Sequence, residues 1–392
     1  MKPVSVYVHI PFCTVKCGYC DFNAYAGLEA LKGDYRDALV AELRAVAPDI
    51  AGRTIGTVAF GGGTPAEVPA SHIAQVIDAI RAAAPLAPGA EVSLEANPGT
   101  IDAAHLRDLR AAGVTRLSLG AQSFDPGELR FLDRIHSPEA TAASVALARA
   151  AGFESVGLDL IYGLPAQPMA SWEASLRRAI ALDPDHISTY ALTVEDATPL
   201  GLRVDRGRVT PLDGDLVAEM YDAATVLLTS AGFGQYELSN WAKPGHRSRH
   251  NSVYWTDGEY LGIGAGAHGF FSGERYENIA HPRAYVEAVA AGEPGRTRPA
   301  LLNAYRPDRE TAIFDWVTLA LRLIEGFDLA TFERRFGVAL DDALGAPLEA
   351  CEAAGLLHRD GNVRLTLRGR LLHGEVAVQI LAHLRALSPA PS

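Results

Sequence analysis

Three features that decide the function of many proteins are scarce or missing in this sequence of 392 residues. It has only four cysteines, and we expect no secretory leader ahead of them, which argues against a disulfide framework formed in an oxidising compartment. No apolar run approaches the roughly 20 residues that a membrane-spanning helix needs. Positive charge is in deficit, and the net charge of -12 argues against sequence-independent binding to nucleic acid or to an anionic membrane. We therefore expect a cytoplasmic protein without a nucleic-acid partner.

Nucleotide-binding glycine motifs are missing as well. The glycines Gly61, Gly62 and Gly63 are not followed by the Lys and Ser or Thr of a P-loop, and they lack the G-x-G-x-x-G spacing of a dinucleotide fold. Three consecutive glycines do allow the backbone to approach a ligand closely, with N–H groups available to a carboxylate. A tight turn between a strand and a helix is the alternative explanation.

The chain, with 48% hydrophobic residues, can bury a large core in more than one domain. Residues 1–235 alternate short apolar runs with longer amphipathic segments, which is typical of a parallel α/β sheet with right-handed crossovers. The runs predicted as strands are residues 4–10, 55–60, 91–95, 116–120, 155–161 and 186–192. Alternation alone leaves open whether the sheet is doubly wound or closes toward a barrel.

Polar residues stand at the end of nearly every predicted strand. The set comprises the cysteine segment after the first strand, Gly61 to Pro65 after the second, Glu95 and Asn97, Gln122, Asp159 and Tyr190. The carboxyl ends of parallel strands meet at one edge of a barrel, where such groups bind ligands. Any one of them alone is explained as a turn or capping residue, but six together favour a ligand site.

Three of the cysteines, Cys13, Cys17 and Cys20, follow the first predicted strand in a C-x3-C-x2-C spacing. Thiolates this close in sequence can converge on one metal centre. A [4Fe-4S] cube normally takes four cysteines, so three leave one iron with an open coordination position. A structural zinc site is the alternative, with His9 as a candidate fourth ligand, although no second ligand pair follows at the usual spacing. Two roles stay open for His9, which are to face the cluster and to cap the floor of the barrel.

The cysteine spacing resembles that of the radical S-adenosylmethionine (SAM) superfamily, whose members bind SAM at the open iron of a three-cysteine cluster. This resemblance implies an α/β fold with a partial (β/α)6 barrel whose site lies at the carboxyl ends of the strands. The triple glycine then resembles the motif with which the superfamily holds the amino acid end of SAM.

Four motifs resemble one group within the superfamily, which contains the oxygen-independent coproporphyrinogen III oxidases and the heme chaperones. They are Tyr7 to Cys13, Phe60 to Pro65, Leu119 to Phe124 and Asp159 to Pro165. Transferred position by position, the SAM contacts of the group fall on Tyr7, Gly62, Gly63, Thr64, Glu95, Gln122, Arg134, Asp159 and Ala191. His268, in a glycine-rich segment, is a further candidate for contact with SAM or heme, and a buried tight crossing of the backbone is the alternative.

Two features favour the chaperone branch of that group. The oxidases carry a further cysteine two residues after the third, where this chain has Phe22. The segment from His250 to Trp255 resembles the H-N-x-x-Y-W motif of the chaperones, in which the histidine is associated with heme binding. An imidazole can ligate heme iron, and Tyr254 and Trp255 offer flat apolar surface beside it. The alternative is a packed aromatic loop around a hydrogen-bonded histidine.

Residues 308–392 differ in character from residues 236–307, which we assign to the heme motif and a linker. Three helical segments precede a hairpin, with Asp360 and Gly361 in a type I′ turn, and a last helix, an order that resembles a winged helix. With nine arginines and no lysine against twelve acidic residues, this region is not expected to bind DNA. It resembles the helical C-terminal domain of the same group, and Cys351 is interpreted as a small buried hydrophobe.

The sequence thus predicts a heme chaperone that carries a [4Fe-4S] cluster and SAM and transfers heme to an acceptor, with a respiratory or membrane-associated protein among the candidates. A porphyrin-acting radical SAM enzyme, above all a coproporphyrinogen III oxidase, is the first alternative. A protein with a purely structural or electron-transfer cluster is the second. Whether SAM is cleaved, whether heme attaches covalently, and whether the protein is a monomer or a homodimer stay open.

Overall fold

The structure, a computed structural model, describes residues 3–292 and 295–387. The strands are β1 (Val4–Ile10), β2 (Ile55–Gly62), β3 (Leu86–Ala96), β4 (Arg116–Gln122), β5 (Ser155–Tyr162), β6 (His186–Ala191), β7 (Gly234–Glu237), β8 (Asn240–Ala242), β9 (Tyr260–Ile263), β10 (His268–Phe271), β11 (Glu274–Asn278), β12 (Leu301–Tyr305), β13 (Phe327–Asp328), β14 (Leu357–Arg359) and β15 (Asn362–Leu365). The helices are α1 (Lys32–Val46), α2 (Ala70–Ala83), α3 (Ala103–Ala112), α4 (Pro126–Phe131), α5 (Pro138–Ala150), α6 (Met169–Ala181), α7 (Pro199–Asp205), α8 (Gly214–Ser230), α9 (Arg249–Trp255), α10 (Pro282–Ala290), α11 (Arg309–Ala320), α12 (Leu329–Phe336), α13 (Leu340–Ala353), α14 (Leu367–Leu371) and α15 (His373–Leu387).

The strands β1 to β6 lie side by side in sequence order, and every neighbouring pair is parallel. They are the six strands predicted from the sequence, and each is followed by at least one helix. β9 continues the sheet beyond β1 in parallel, and β10 and β11 follow it as antiparallel strands. Next to β6 the order continues with β8 and β7. This is the α/β partial (β/α)6 architecture that the sequence predicts.

Alternate side chains of β1 point to the two faces of the sheet, one packed against helices and the other facing the barrel interior. Val4 and Val8 are 0% exposed and belong to the same core as Leu39 of α1. Burial of such a side chain contributes about 1.5–3 kcal/mol to folding. Successive strand side chains point to opposite faces, so Ser5 and Tyr7 face away from the helices and toward the barrel interior. The helical face of the strand therefore stabilises the fold, while the interior face is left for polar contacts.

Local signals in the sequence also set where helices begin and end. The carboxylate of Asp102 accepts a hydrogen bond of 2.8 Å from the backbone N–H of His105 and so caps the first turn of α3. Gly113 follows the last turn of α3 with a φ of 109°, a left-handed conformation that glycine adopts without steric cost. The pair Ala112 and Gly113 is typical of such a helix end.

The C-terminal region has the predicted three helices and hairpin, but two helices, α14 and α15, follow the hairpin where one was predicted. Strands β13, β15 and β14 form a small antiparallel sheet, in which the two-residue strand β13 was not predicted. Trp316 and Phe332 pack in the apolar core of this region. Gly361 has a φ of 97°, but Asp360 is not among the residues with a positive φ, so the turn is not the predicted type I′. Cys351 is 2% exposed within that core, in agreement with its interpretation as a buried hydrophobe.

The described residues group into two compact units that do not follow the three predicted segments. One unit comprises Met1–Gly234, Trp241–His250 and Glu259–Ala304, and the other comprises Gln235–Asn240, Asn251–Gly258 and Tyr305–Ser392. The predicted segment 236–307 thus contributes to both units. Its end was expected to be a linker, but Leu301–Tyr305 forms β12 at one edge of the large sheet. Through the described part of the chain, helices of the length and apolar character needed to cross a membrane do not occur.

Candidate functional site

A cavity of about 460 Å³ lies at the carboxyl ends of the strands β1 to β6. Eight of the nine SAM contacts transferred from the family resemblance line it: Gly62, Gly63, Thr64, Glu95, Gln122, Arg134, Asp159 and Ala191. They come from β2, β3, β4, β5, β6 and the loops that follow them. Gln122 has a φ of 63°, a left-handed conformation uncommon for a residue other than glycine and frequent at functional sites. The parallel sheet therefore brings together residues that are far apart in sequence.

The three cysteines of the loop after β1 line the same cavity as free thiols. Two carboxylates hold the loop in place. The backbone N–H and the hydroxyl of Thr14 donate to Oε2 of Glu67 at 2.6 and 2.9 Å, and the N–H of Gly18 donates to Oδ2 of Asp133 at 3.1 Å. Glu67 and Asp133 were not predicted as part of the site, since a carboxylate that binds backbone N–H groups has no sequence motif of its own.

The chemistry of this donor set fits an iron–sulfur cluster. Burial raises the pKa of the Cys13 thiol to about 11, and burial also raises the pKa of Cys20. Both thiols must lose their protons to bind iron, so cluster binding would release protons. Within the ranges that the structure describes, no group of three or more His, Cys, Asp or Glu side chains is placed to hold a single metal ion. The three cysteines all line one cavity, whose other lining residues include glycines, Arg134 and carboxylates.

The triple glycine brings the end of β2 close to the cysteine loop. A Cβ atom on Gly63 would lie 2.6 Å from the carbonyl oxygen of Phe12. A Cβ atom on Gly62, whose φ is 115°, would lie 2.5 Å from Cε1 of His9. Both distances are shorter than real Cβ contacts, so these two positions require glycine. The cavity keeps its shape because backbone rather than side chain occupies this wall.

His9 has a structural position beside that wall and does not line the cavity. Its Nε2 lies 2.9 Å from the carbonyl oxygen of Asn23, and because a carbonyl only accepts, Nε2 carries the proton. Its Nδ1, 3.0 Å from the hydroxyl of Tyr7, then accepts from Tyr7. Burial lowers the pKa of His9, which keeps the ring neutral. Tyr7, the ninth transferred SAM contact, is therefore hydrogen-bonded to His9 behind the cavity wall.

A chain of hydrogen bonds connects the cysteines to β3 and to the loop after α4. Oγ1 of Thr64 lies 3.4 Å from Sγ of Cys13 and accepts from Nδ2 of Asn97 at 2.8 Å. Arg134 donates to Oδ1 of Asn97 and, at 3.6 Å, to Sγ of Cys17. Asn97 was noted in the sequence only as a polar strand end. Its position two residues after Glu95 is the signal for a shared face, since alternate strand residues point the same way.

Two carboxylates supply negative charge to the cavity. The side chain of Glu95 is open to it, and desolvation by the surrounding protein together with the nearby Asp159 raises the pKa of Glu95 to about 7. Asp159 accepts hydrogen bonds from Ser188 at 2.6 Å and Ser118 at 2.9 Å, although burial raises its pKa. A ligand with a positive charge would stabilise both ionised carboxylates. The sulfonium group of SAM carries such a charge, so these residues fit SAM.

His268 lies outside the cavity. Its side chain is 69% exposed, and Nε2 is 3.8 Å from Oε2 of Glu277 on β11. The glycine-rich segment before it makes the tight crossing that was the alternative interpretation, since a Cβ atom on Gly264 would lie 2.7 Å from the carbonyl oxygen of His9. His268 stays a prediction as a ligand, without a place among the residues that line the cavity.

His250 lies at the opposite end of the barrel, near the amino end of β2. It is 1% exposed, and its Nδ1 lies 2.8 Å from Oγ1 of Thr57. The Thr57 hydroxyl donates to Oγ of Ser5 at 2.8 Å, so it accepts from the Nδ1–H group of His250. Oε1 of Glu91 accepts from the backbone N–H of His250 at 3.0 Å. Burial lowers the pKa of His250 to about 3, so the ring is neutral.

The two aromatic residues of the same motif are partly exposed on α9. The rings of Tyr254 and Trp255 are 6.3 Å apart at 70°. The guanidinium of Arg322 lies 4.3 Å from the centre of the Trp255 ring, and Nε1 of Trp255 is buried without a hydrogen-bond partner. The described state of the motif is thus a packed aromatic helix with a hydrogen-bonded histidine. The structure does not bring His250, Tyr254 or Trp255 to the cysteine cavity.

Family models match two separate parts of the chain, one in the barrel and one in the C-terminal region. Residues 7–179 match the family described as the radical SAM superfamily, and residues 308–372 match the HemN C-terminal domain. Among solved structures, the coproporphyrinogen III oxidase HemN of Escherichia coli superposes with a TM-score of 0.83 at 26% identity, over 96% of this chain and 90% of that chain.

Curated relatives match over nearly the full length. The heme chaperone HemW of Mycobacterium tuberculosis is 41% identical over 97% of this chain and 95% of its own length. The heme chaperone HemW of Escherichia coli is 36% identical over 97% of this chain and 99% of its own length. With this identity and coverage, the chain belongs to the HemW family of the radical SAM superfamily.

Proposed function

We propose that this protein is a heme chaperone that binds heme and transfers it to an acceptor protein in the cytoplasm. The observation that carries the proposal is the full-length similarity to proteins described as heme chaperone HemW, at 35 to 41% identity over 97% of this chain. The acceptor, for which a respiratory or membrane-associated protein is our candidate, is not identified by any residue pattern.

In this proposal the cavity at the carboxyl ends of the strands holds a [4Fe-4S] cluster and SAM. Cys13, Cys17 and Cys20 would hold the cluster, which when bound supplies an open iron position for SAM. The protein's own groups then fix the ligand. The open backbone at Gly62 and Gly63 allows close approach of its amino acid end, and Glu95 and Asp159 balance its positive charge.

Heme, in the same proposal, is ligated by His250 beside Tyr254 and Trp255. The neutral imidazole is the form that ligates iron, and its low pKa keeps that form over the whole physiological range. Because His250 is 1% exposed, ligation requires that the segment around the ring open so that Nε2 becomes accessible to iron. The packed state is therefore the heme-free state, and heme loading is coupled to a local opening.

Titration of the anaerobically reconstituted protein with hemin tests this function. We expect the wild type to retain heme absorbance after size exclusion, and His250→Ala to lose most of it while its cluster content stays unchanged. His358→Ala, which replaces an exposed histidine on β14, serves as the matched control. The proposal would be contradicted if the wild type retained no heme, or if His250→Ala retained as much heme as the wild type.

One observation favours a second candidate, the oxidation of coproporphyrinogen III. The chain superposes on HemN with a TM-score of 0.83, and its cavity has the residues expected to hold the cluster and SAM. Against it stands Phe22, which occupies the position of the oxidases' further cysteine and is 62% exposed at the cavity. An anaerobic assay with SAM and a reductant decides between them, since conversion to protoporphyrinogen IX would establish the enzyme.

A further inference from the structure

A second cavity, of about 630 Å³, lies between the end of α8 and residues 242–249. Its walls include Phe233, Pro244, Lys243, Arg247 and Arg249. The backbone N–H of Lys243 donates at 2.9 Å to the carbonyl oxygen of Asp185, the residue immediately before β6. This places the cavity at the amino ends of the parallel strands, which is also the end of the barrel where His250 is buried. Its volume lies in the range of cavities that bind small organic ligands.

The walls of this cavity are strongly cationic in an acidic protein. The whole chain carries a net charge of -12, yet the lining contains three basic residues and no carboxylate. Nζ of Lys243 lies 2.5 Å from Oδ1 of Asp183, outside the lining, and Nη1 of Arg249 donates at 2.6 Å to the carbonyl oxygen of Gly89. A carbonyl fixes the arginine without neutralising it. Because Asp183 compensates the charge of Lys243, the positive charge that the cavity offers to anionic groups comes mainly from its arginine side.

Little apolar surface accompanies these cations. The ring of Phe233 packs beneath the wall and is only 2% exposed, with the ammonium of Lys243 at 5.7 Å from its centre. Val226, one turn before Thr229 on α8, is 64% exposed but does not line the cavity. The cavity itself therefore suits the anionic edge of a ligand rather than its apolar body.

The position of α9 connects this cavity to His250. Arg249 and His250 are neighbours on the helix, where successive side chains are about 100° apart. Arg249 lines the cavity, whereas His250 points to Thr57 in the barrel interior. The two residues thus present a cation and an imidazole from one short segment.

We propose that the cavity formed by Lys243, Arg247 and Arg249 anchors the two propionate carboxylates of heme. The anionic edge of the porphyrin is held by these cations while the iron is presented to the His250 segment. This anchoring role rests on the proposed heme-binding function, and it adds a site for the charged edge that the heme motif itself does not supply. It also assigns a ligand class, an apolar dicarboxylate, to a cavity that is separate from the cysteine site.

The discriminating experiment compares hemin with its dimethyl ester, in which both carboxylates are neutral. The wild type is expected to bind hemin more tightly than the ester. The double variant Arg247→Gln and Arg249→Gln is expected to bind hemin about tenfold more weakly, since it loses charge-assisted hydrogen bonds to carboxylates at a site that solvent partly screens. Its affinity for the ester is expected to stay the same. The preference for the free acid therefore disappears in the variant.

A matched control removes two exposed arginines elsewhere, with Arg107→Gln on α3 and Arg283→Gln on α10. It is expected to keep the wild-type preference. If the cavity variant fails to fold, as judged by cluster content and thermal unfolding, the wild type alone supplies the test. Sodium chloride should then weaken its binding of hemin and leave its binding of the ester unchanged.

The outcomes separate this site from the function on which it rests. Absence of hemin binding by the wild type would overturn both. Hemin binding that the double variant retains unchanged, or that falls equally for hemin and ester, would overturn the anchoring site and leave heme binding in place. Wild-type binding without salt dependence or preference between the two ligands would overturn it as well.

Discussion

The two ends of strand β2 differ in how ready they are to bind a ligand. Thr64, just beyond the carboxyl end, is 2% exposed and contributes to an open cavity lined by cysteine, glycine and carboxylate groups. Thr57, near the amino end, is 4% exposed and is hydrogen-bonded to a buried histidine. The carboxyl end is a preformed site, whereas the heme motif at the amino end is packed as part of the core. A motif in the sequence can thus mark a site without indicating whether it is open.

The charges at the two ends differ as well, and they match different ligands. Glu95 and Asp159 give the cysteine cavity a negative wall that suits the sulfonium of SAM. Lys243, Arg247 and Arg249 give the second cavity a positive wall that suits carboxylates. Under the proposed function, one barrel would hold a cationic cofactor at one end and an anionic cargo at the other. This separation predicts that substitutions at one end leave the binding at the other end unchanged.

The largest expected effect is the loss of the cluster from cysteine variants. Cys13→Ala, Cys17→Ala or Cys20→Ala should abolish iron and sulfide incorporation, because three thiolates are the minimum set for this site. Heme binding should persist, since His250 lies at the other end. Iron and acid-labile sulfide are measured after anaerobic reconstitution, with Cys351→Ala as the control that keeps both. A zinc-loaded protein without sulfide would refute the assignment.

The matched pair Thr57→Val and Thr64→Val should give effects of opposite sign. Thr57→Val leaves the Nδ1–H group of His250 without its acceptor, which costs the packed state about 1–3 kcal/mol. Because that state must open, heme should load faster and bind about tenfold more tightly. Thr64→Val removes a contact to Cys13 in an open site and should weaken SAM binding or cluster retention. Stopped-flow absorbance measures heme binding by Thr57→Val, and titration with SAM measures the effect of Thr64→Val. Weaker heme binding by Thr57→Val would contradict the opening step.

Affinity for SAM should depend on pH through Glu95. With a pKa of about 7, this carboxyl loses its negative charge as the pH falls below neutral, and it then no longer balances the charge of SAM. We expect affinity to fall by up to about tenfold per pH unit below 7, and Glu95→Gln to bind weakly without this dependence. Isothermal titration calorimetry from about pH 6 to about pH 8 measures how the affinity for SAM depends on pH. A profile in the variant like that of the wild type would assign the titration to another group.

A smaller effect is expected from Glu67→Gln. The substitution keeps the shape of the side chain but removes the charge that accepts both hydrogen bonds from Thr14, which are partly exposed. The cysteine loop should lose about 1 kcal/mol of local stability, and the cluster should be lost a few times faster on exposure to air. Decay of cluster absorbance measures this rate, with Glu173→Gln on the outer surface as the control. Equal decay in wild type and variant would show that Glu67 does not hold the loop.

Much of the barrel followed from the sequence because its signals are local. The alternation of apolar runs and amphipathic segments predicted β1 to β6. The strand-end residues predicted most of the cavity, since parallel topology brings them together. β13 and β12 were not predicted, because a two-residue strand and an exposed edge strand have no apolar period of their own.

The residues that contact the cysteine loop from distant parts of the chain could not be predicted from the sequence. Asn97, Glu67 and Asp133 act on the cysteine loop from other elements, and their spacing in the chain carries no sign of it. The burial of His250 was foreseen only as an alternative, because a motif gives the identity of a residue and not the face on which it packs. The cationic cavity likewise arises from two segments that meet only in the folded chain.

Hydrogen exchange of the reconstituted protein, measured by mass spectrometry with hemin and with SAM added separately, tests most directly whether the two ends bind different ligands. Hemin is expected to change exchange in residues 242–255 and in the amino-terminal part of β2, and to leave residues 13–20 and 61–65 unchanged. SAM is expected to do the reverse. Protection of residues 13–20 and 61–65 by hemin, with no change in residues 242–255, would contradict the separation of the two sites.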